Sequence, residues 1–217
     1  MHKRVHQRVL LVEGEDDKRV IPEIVEANGL TWGETAAEAI VFIKPIGGID
    51  KLTEPGTISA EAKASGLQTL GVVIDANDSA EQRFQSLRSA CLESFPNLPD
   101  SLPIDGLIHD TNGLRLGIWL MPDNQSRGML ETFLAYLAGG DESDPLFEHA
   151  KRACDQAKQI GAPFSDAHAG KSHIHCWLAW QKEPGRQLHD AVKFSYLDAT
   201  SRRAQPFIQW FRKLYEL

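Results

Sequence analysis

Three apolar runs in this chain each stop at an acidic residue. Glu13 follows Val9-Leu10-Leu11-Val12, Asp75 follows Leu70-Gly71-Val72-Val73-Ile74, and Asp123 closes the run from Leu114 to Pro122. Asp17 lies four residues past Glu13, where a helix would begin and where the helix dipole favours negative charge. Carboxylates gathered in one place repel each other unless something positive lies between them. A divalent ion is the usual answer, because hard cations take oxygen ligands. The chemistry to expect is therefore metal-assisted, at the carboxyl ends of strands, where open α/β sheets bind their ligands.

The elements that must hold these acids can be read from apolar spacing. Residues 9–12 predict a strand, Gly14 a tight turn, and Asp17 to about Ala27 a helix that Asn28-Gly29 ends. Residues 39–43, 70–74 and 114–121 predict further strands, with a weaker one at 106–108 and a hairpin around Asn112-Gly113. Gly47-Gly48 reads as a simple turn, with a backbone cradle for a phosphate as its other use. Ser79 caps a helix running to about Cys91, and Met129 to Leu137 forms another. Helices follow at about 145–159, 172–181 and 206–217. Alternating strands and helices argue for an α/β fold: a mostly parallel sheet with helices on both faces, plus a C-terminal helical extension. The core is expected over 1–140, with 141–217 packed on it as the extension.

Composition narrows the classes. The 217 residues, 42% of them hydrophobic, can close one real core. No apolar run approaches a membrane span, and the basic start, Met1-His2-Lys3-Arg4-Val5-His6, lacks the apolar stretch of a signal peptide. Cys91, Cys154 and Cys176 are odd in number and far apart, which predicts a reducing, cytoplasmic setting without a disulfide framework. A net charge of −7 disfavours a protein that coats nucleic acid non-specifically. His168, His173, His175 and Cys176 fit no four-ligand zinc spacing, and residues 173 and 175 would leave a helix on different sides. Trp177, Trp180 and Trp210 are expected in the core or an interface rather than as base-stacking platforms.

The stretch Glu13-Gly14-Glu15-Asp16-Asp17 after an apolar strand resembles the first motif of the Toprim domain, Glu-Gly-x-x-Asp. Asp75-Ala76-Asn77, with Asp78 next, resembles its second motif, Asp-x-Asp, with the second acid replaced by a neutral amide. Met121-Pro122-Asp123-Asn124, Gly128-Met129-Leu130-Glu131-Thr132-Phe133 and Leu178-Ala179-Trp180 are similar to a small stand-alone Toprim-related family. The resemblance implies the Toprim (Rossmann-like) fold and a site for Mg2+ or Mn2+ built from Glu13, Asp17, Asp75, Asn77, Asp78, Asp123 and Glu131. It assigns Glu131 to the acidic helix that follows the last strand in the OLD-family nucleases. It also calls for a late lysine to stabilise charge on the phosphoryl oxygens, with Lys171 the first choice and Lys193 the second.

Absences select the branch. Tyr136, Tyr196 and Tyr215 all lie in the helical part that begins at Gly128, unlike a topoisomerase nucleophile in its own domain, and three scattered cysteines build no zinc module. What the resemblance leaves is a divalent-metal-dependent nuclease acting on DNA or RNA, with Glu13 and Lys171 as its catalytic pair. The sequence has no Gly-x-x-x-x-Gly-Lys-Ser/Thr motif, so any ATPase must be a separate partner. A homo-oligomer is compatible with this reading, and a membrane role is not expected. The alternatives are a non-catalytic Toprim-like interaction module and a small-molecule phosphohydrolase. The amide at Asn77 predicts weak Mg2+ binding and a preference for Mn2+.

Overall fold

The computed structural model describes residues 6–35, 38–111 and 113–217. In chain order its elements are β1 (Arg8–Val12), α1 (Glu15–Ala27), β2 (Phe42–Pro45), the short α2 (Ile49–Thr53) and α3 (Thr57–Ala62), β3 (Thr69–Asp75) and α4 (Ala80–Cys91). They continue with β4 (Leu107–Thr111), β5 (Leu114–Met121), α5 (Leu130–Leu137), α6 (Pro145–Gln159), α7 (Ala169–Leu178), α8 (Leu188–Lys193) and α9 (Gln205–Tyr215). The strands form one sheet in the order β2-β1-β3-β5-β4. β2, β1, β3 and β5 run parallel, and β4 pairs antiparallel with β5. This is an α/β fold with helices around a mostly parallel sheet and further helices toward the C-terminus.

Near-continuous apolar strands are what a sheet covered on both faces requires. Alternation then divides each strand between two cores. Leu10, Val12, Val73, Trp119 and Met121 face a core shared with residues of α1, α5, α7, α8 and α9. Val9, Leu11, Val72, Ile74, Ile118 and Leu120 face the other, covered by α2, α3 and α4. α9 lies directly on the first face. The Tyr215 hydroxyl donates to the Val9 carbonyl at 2.9 Å, and the Trp210 indole donates to Leu107 at 3.1 Å. Gly71 and Gly117 make this approach possible, since a Cβ on either would collide with Tyr215 or Leu214.

Some boundaries differ from the sequence reading. β2 starts at Phe42 rather than residue 39, because Ile40 N–H is already bonded to the Trp32 carbonyl in the preceding turn. α1 begins at Glu15, two residues before Asp17. α7 spans Ala169–Leu178 rather than 172–181, and α8 was not anticipated. β4 and β5 are joined tightly, with Thr111 opposite Leu114, while Asn112 of the expected hairpin lies outside the described residues. The basic residues 1–5 also lie outside them. Among the described residues no helix is long and apolar enough to cross a membrane.

Candidate functional site

Because β1, β3 and β5 are parallel, their carboxyl ends share one edge of the sheet. Glu13 leaves β1 there, and its backbone is fixed by the Gly47-Gly48 turn. Both glycine N–H groups donate to the Glu13 carbonyl, at 3.0 and 3.2 Å. Their φ angles of +83° and +113° suit residues without a Cβ. The two N–H groups are thus spent on the chain itself, and the pair works as a turn.

A carboxylate cluster forms around Glu13, and each member has one oxygen held. Glu13 Oε2 accepts from Asp75 N–H at 3.3 Å. Asp17, in the first turn of α1, accepts from Gly14 N–H through Oδ2 at 2.9 Å. Asp75 Oδ1 accepts from Leu130 N–H, the first helical residue of α5, at 2.9 Å. Glu131 Oε1 pairs with the Lys171 ammonium, which reaches in from α7, at 3.0 Å. The partner oxygens make no hydrogen bond among the described residues. One of them, Asp17 Oδ1, is fully buried without a partner. Such a group normally costs about 1–3 kcal/mol.

The electrostatics follow. Burial, then the charges of Asp17, Glu13 and Glu131, push the Asp75 carboxyl up to about 8. Burial, with repulsion from Glu13 and Glu131, pushes Asp17 up to about 7 against the bond from Gly14. The hydrogen bond to Glu131, reinforced by Asp16 and Asp75, pushes Lys171 up. Lys171 is half-exposed, whereas Glu131 is buried among Leu130, Phe133 and Leu134. Among the described residues no three His, Cys, Asp or Glu side chains stand close enough together to hold a metal ion as their rotamers lie. A shared ion requires the free oxygens to turn inward.

The remaining candidates are placed differently. Asp123 sits at the same edge, but Oδ1 accepts from Gln125 and Ser126 N–H and Oδ2 from the Ser126 hydroxyl, so both oxygens hold its own turn. The resemblance counts Asn77 among the metal ligands, but the backbone is no longer extended there. Asn77 has φ +50° and exchanges both backbone hydrogen bonds with Gly128. Asn77 and Asp78 instead line a small opening with Gln82 and Arg83 of α4. The reason is that β3 ends at Asp75, and alternation with period two ends with it. Lys193 lies 4.0 Å from Glu23 of α1, on a different ion pair.

Trp177 and Trp210 are core residues, while Trp180 is 40% exposed and packs beside His149. Sequence reasoning missed Asn124, which is buried and joins the Leu120 N–H to the Ile104 carbonyl. It also missed a cleft of about 410 Å³ beside the cluster, lined by Asp16, Arg19, His175, Arg186 and Gln187 among others. No pattern in the sequence links residues so far apart.

A family model described as a protein of unknown function, DUF3226, matches residues 7–216 of this chain. No curated protein and no solved structure matches it.

Proposed function

The chain belongs to that DUF3226 family, whose description supplies no reaction, and from its own residues we propose a divalent-metal-dependent nuclease of Toprim type. The observation that carries the reading is the buried, unpartnered Asp17 Oδ1 inside a cluster where each carboxylate keeps one oxygen free. The donors are all oxygen, which suits Mg2+ or Mn2+ and not a softer metal. Asp17, Asp75 and Glu131 would hold the ion, with Glu13 beside them and Asn77, Asp78 and Asp123 outside this inner set. When bound, such an ion supplies Lewis acidity toward phosphoryl oxygens and lowers the pKa of water.

The protein's own groups do the rest. Glu13, half-buried at the strand end with Oε1 unheld, takes the proton of the attacking water as its oxygen bonds to phosphorus, while the P–O bond to one sugar oxygen breaks and that leaving oxygen takes a proton from solvent. Lys171 swings its half-exposed ammonium from Glu131 toward the phosphoryl oxygens and offsets the charge that builds there. Asp17 and Asp75 hold protons near neutral pH without a cation and release them when one binds, so ion affinity rises with pH. The substrate is DNA or RNA, and an ATPase, if one takes part, is a separate chain. A cytoplasmic location belongs to the same proposal and rests on the three free cysteines.

Supercoiled plasmid and labelled RNA incubated with Mg2+ or Mn2+ test it. Nicking that disappears in Glu13→Gln and Asp75→Asn is the expected result. Metal binding without cleavage of either polymer would instead support the non-catalytic interaction module. Turnover confined to phosphomonoesters would support the small-molecule phosphohydrolase.

A further inference from the structure

The cleft beside the carboxylates is lined by two arginines. The chain carries 30 acidic residues against 23 Lys and Arg, yet Arg19, His175 and Arg186 line this opening with Asp16 as its acid. Asp16 stands at the end next to Asp17 and marks where the cluster stops. Two helices lead from the cluster into the cleft. On α7, His175 follows Lys171 by four residues, and on α1, Arg19 follows Asp16 by three, so each pair shares a helix face. α7 therefore advances about one turn, roughly 6 Å, from Lys171 at the cluster to His175 in the cleft, while Asp16 and Arg19 both line the cleft from α1, on either side of Asp17 in the chain.

The arginines are prepared differently. Arg19 is exposed and has no carboxylate partner among the described residues; Nη1 donates to Gln187 Oε1 at 3.2 Å across the cleft. Arg186 is held in place, paired with Glu183, 3.7 Å from Asp190 Oδ2, and laid over the Phe194 ring at 4.7 Å. Arg19 is the uncommitted cation, while the charge of Arg186 is largely offset by Glu183 and Asp190. A free guanidinium at Arg19 suits a planar, bidentate contact to phosphate.

We propose that this cleft seats a second phosphate of the substrate, adjacent to the one at the carboxylates, with Arg19 as its principal contact. The inference rests on the nuclease reading and deepens it. A substrate that fills both places is a polynucleotide strand, because a phosphomonoester has nothing to put in the cleft.

The test is binding, read by fluorescence anisotropy of labelled 15-nucleotide DNA and RNA strands in EDTA and in Ca2+, across a range of salt. Arg19→Ala is expected to weaken binding about tenfold, as loss of one charge-assisted hydrogen bond does. It should also reduce the slope of log K against log salt by about 0.7, the share of one phosphate on a single strand. Arg19→Lys should restore the slope. An unchanged slope in Arg19→Ala overturns the proposal, as does wild-type protein that binds neither strand. Pyrophosphate that competes as well as an oligonucleotide would also overturn it. The two readings can fail separately. A chain that nicks plasmid but keeps its slope in Arg19→Ala loses the cleft and keeps the nuclease. A chain with an Arg19-dependent slope and no nicking keeps the cleft and loses the nuclease.

Discussion

Replacing Asp17 by asparagine should make the metal-free protein more stable, not less. Asp17 is buried, accepts one hydrogen bond from Gly14 N–H, leaves Oδ1 with no donor, and is repelled by Glu13 and Glu131. Its carboxyl is pushed up to about 7, so the folded protein binds a proton there that the unfolded chain releases near pH 4. The sign is fixed by that direction. With the folded value above the unfolded one, stability is fullest below about pH 4 and is lost as pH rises to about 7. Ionising a carboxyl held near 7 instead of near 4 costs roughly 4 kcal/mol at the upper end of this window. Asparagine keeps the Gly14 bond through its carbonyl oxygen and offers an N–H group to the neighbouring acids. Burying its amide gives back about 1–2 kcal/mol. The net gain for Asp17→Asn should be about 2 kcal/mol at pH 8.5, or roughly 4–8 °C in Tm for a chain of this size, and little at pH 4. Urea titrations in EDTA at both pH values measure it. With Mn2+ added, the order should reverse, because the variant loses a ligand and about tenfold or more in affinity. If wild type and variant show superimposable pH dependence in EDTA, the crowding of charge at Asp17 is wrong, and the metal argument fails with it.

Asp75→Asn should likewise flatten the loss of stability between about pH 4 and pH 8, since the Asp75 carboxyl is raised to about 8 and the same sign applies; thermal melts in EDTA at intervals of pH check it. Asn77→Asp should leave Mn2+ and Mg2+ affinities within about twofold of wild type, because residue 77 turns away after β3; calorimetry that shows tighter binding would mean the loop reorganises around the ion. Lys171→Ala should lower any nicking rate by about a hundredfold, the scale of one lost charge stabiliser, with plasmid binding nearly intact. Gly71→Ala should cost about 1–3 kcal/mol in urea titration, since the new methyl meets the Tyr215 hydroxyl and lies 2.7 Å from Leu10 Cδ1.

The sheet was legible because burial on both faces writes itself as uninterrupted apolar runs, and the ends of those runs located Glu13 and Asp75. Glu131 was less plain: its neighbours Leu130, Phe133 and Leu134 predict a buried helix, and only the resemblance singled it out. Its ion pair with Lys171 joins residues forty apart, which no spacing rule relates. Asp123 reaches the expected edge but spends its oxygens on its own turn, and Asn77 turns off the strand line, for a shared reason. Both lie just past a strand, where side-chain direction depends on loop dihedrals and local hydrogen bonds rather than on alternation. The cleft could not be read at all, because its walls come from α1, α7 and the segment entering α8, and composition averages over all of them.

The position of α9 has a consequence for how the chain is made. β1, β3 and β5 are synthesised long before residues 205–215, yet the face carrying Leu10, Gly71 and Gly117 is closed by Tyr215 and Leu214. A nascent chain that has already paired its strands therefore leaves the part of this face around Gly71 and Gly117 uncovered until these helical residues leave the ribosome. At typical synthesis rates of about 5–20 residues per second, the gap between β5 and α9 lasts several seconds. During that interval the half-built sheet is a surface for chaperones or for aggregation.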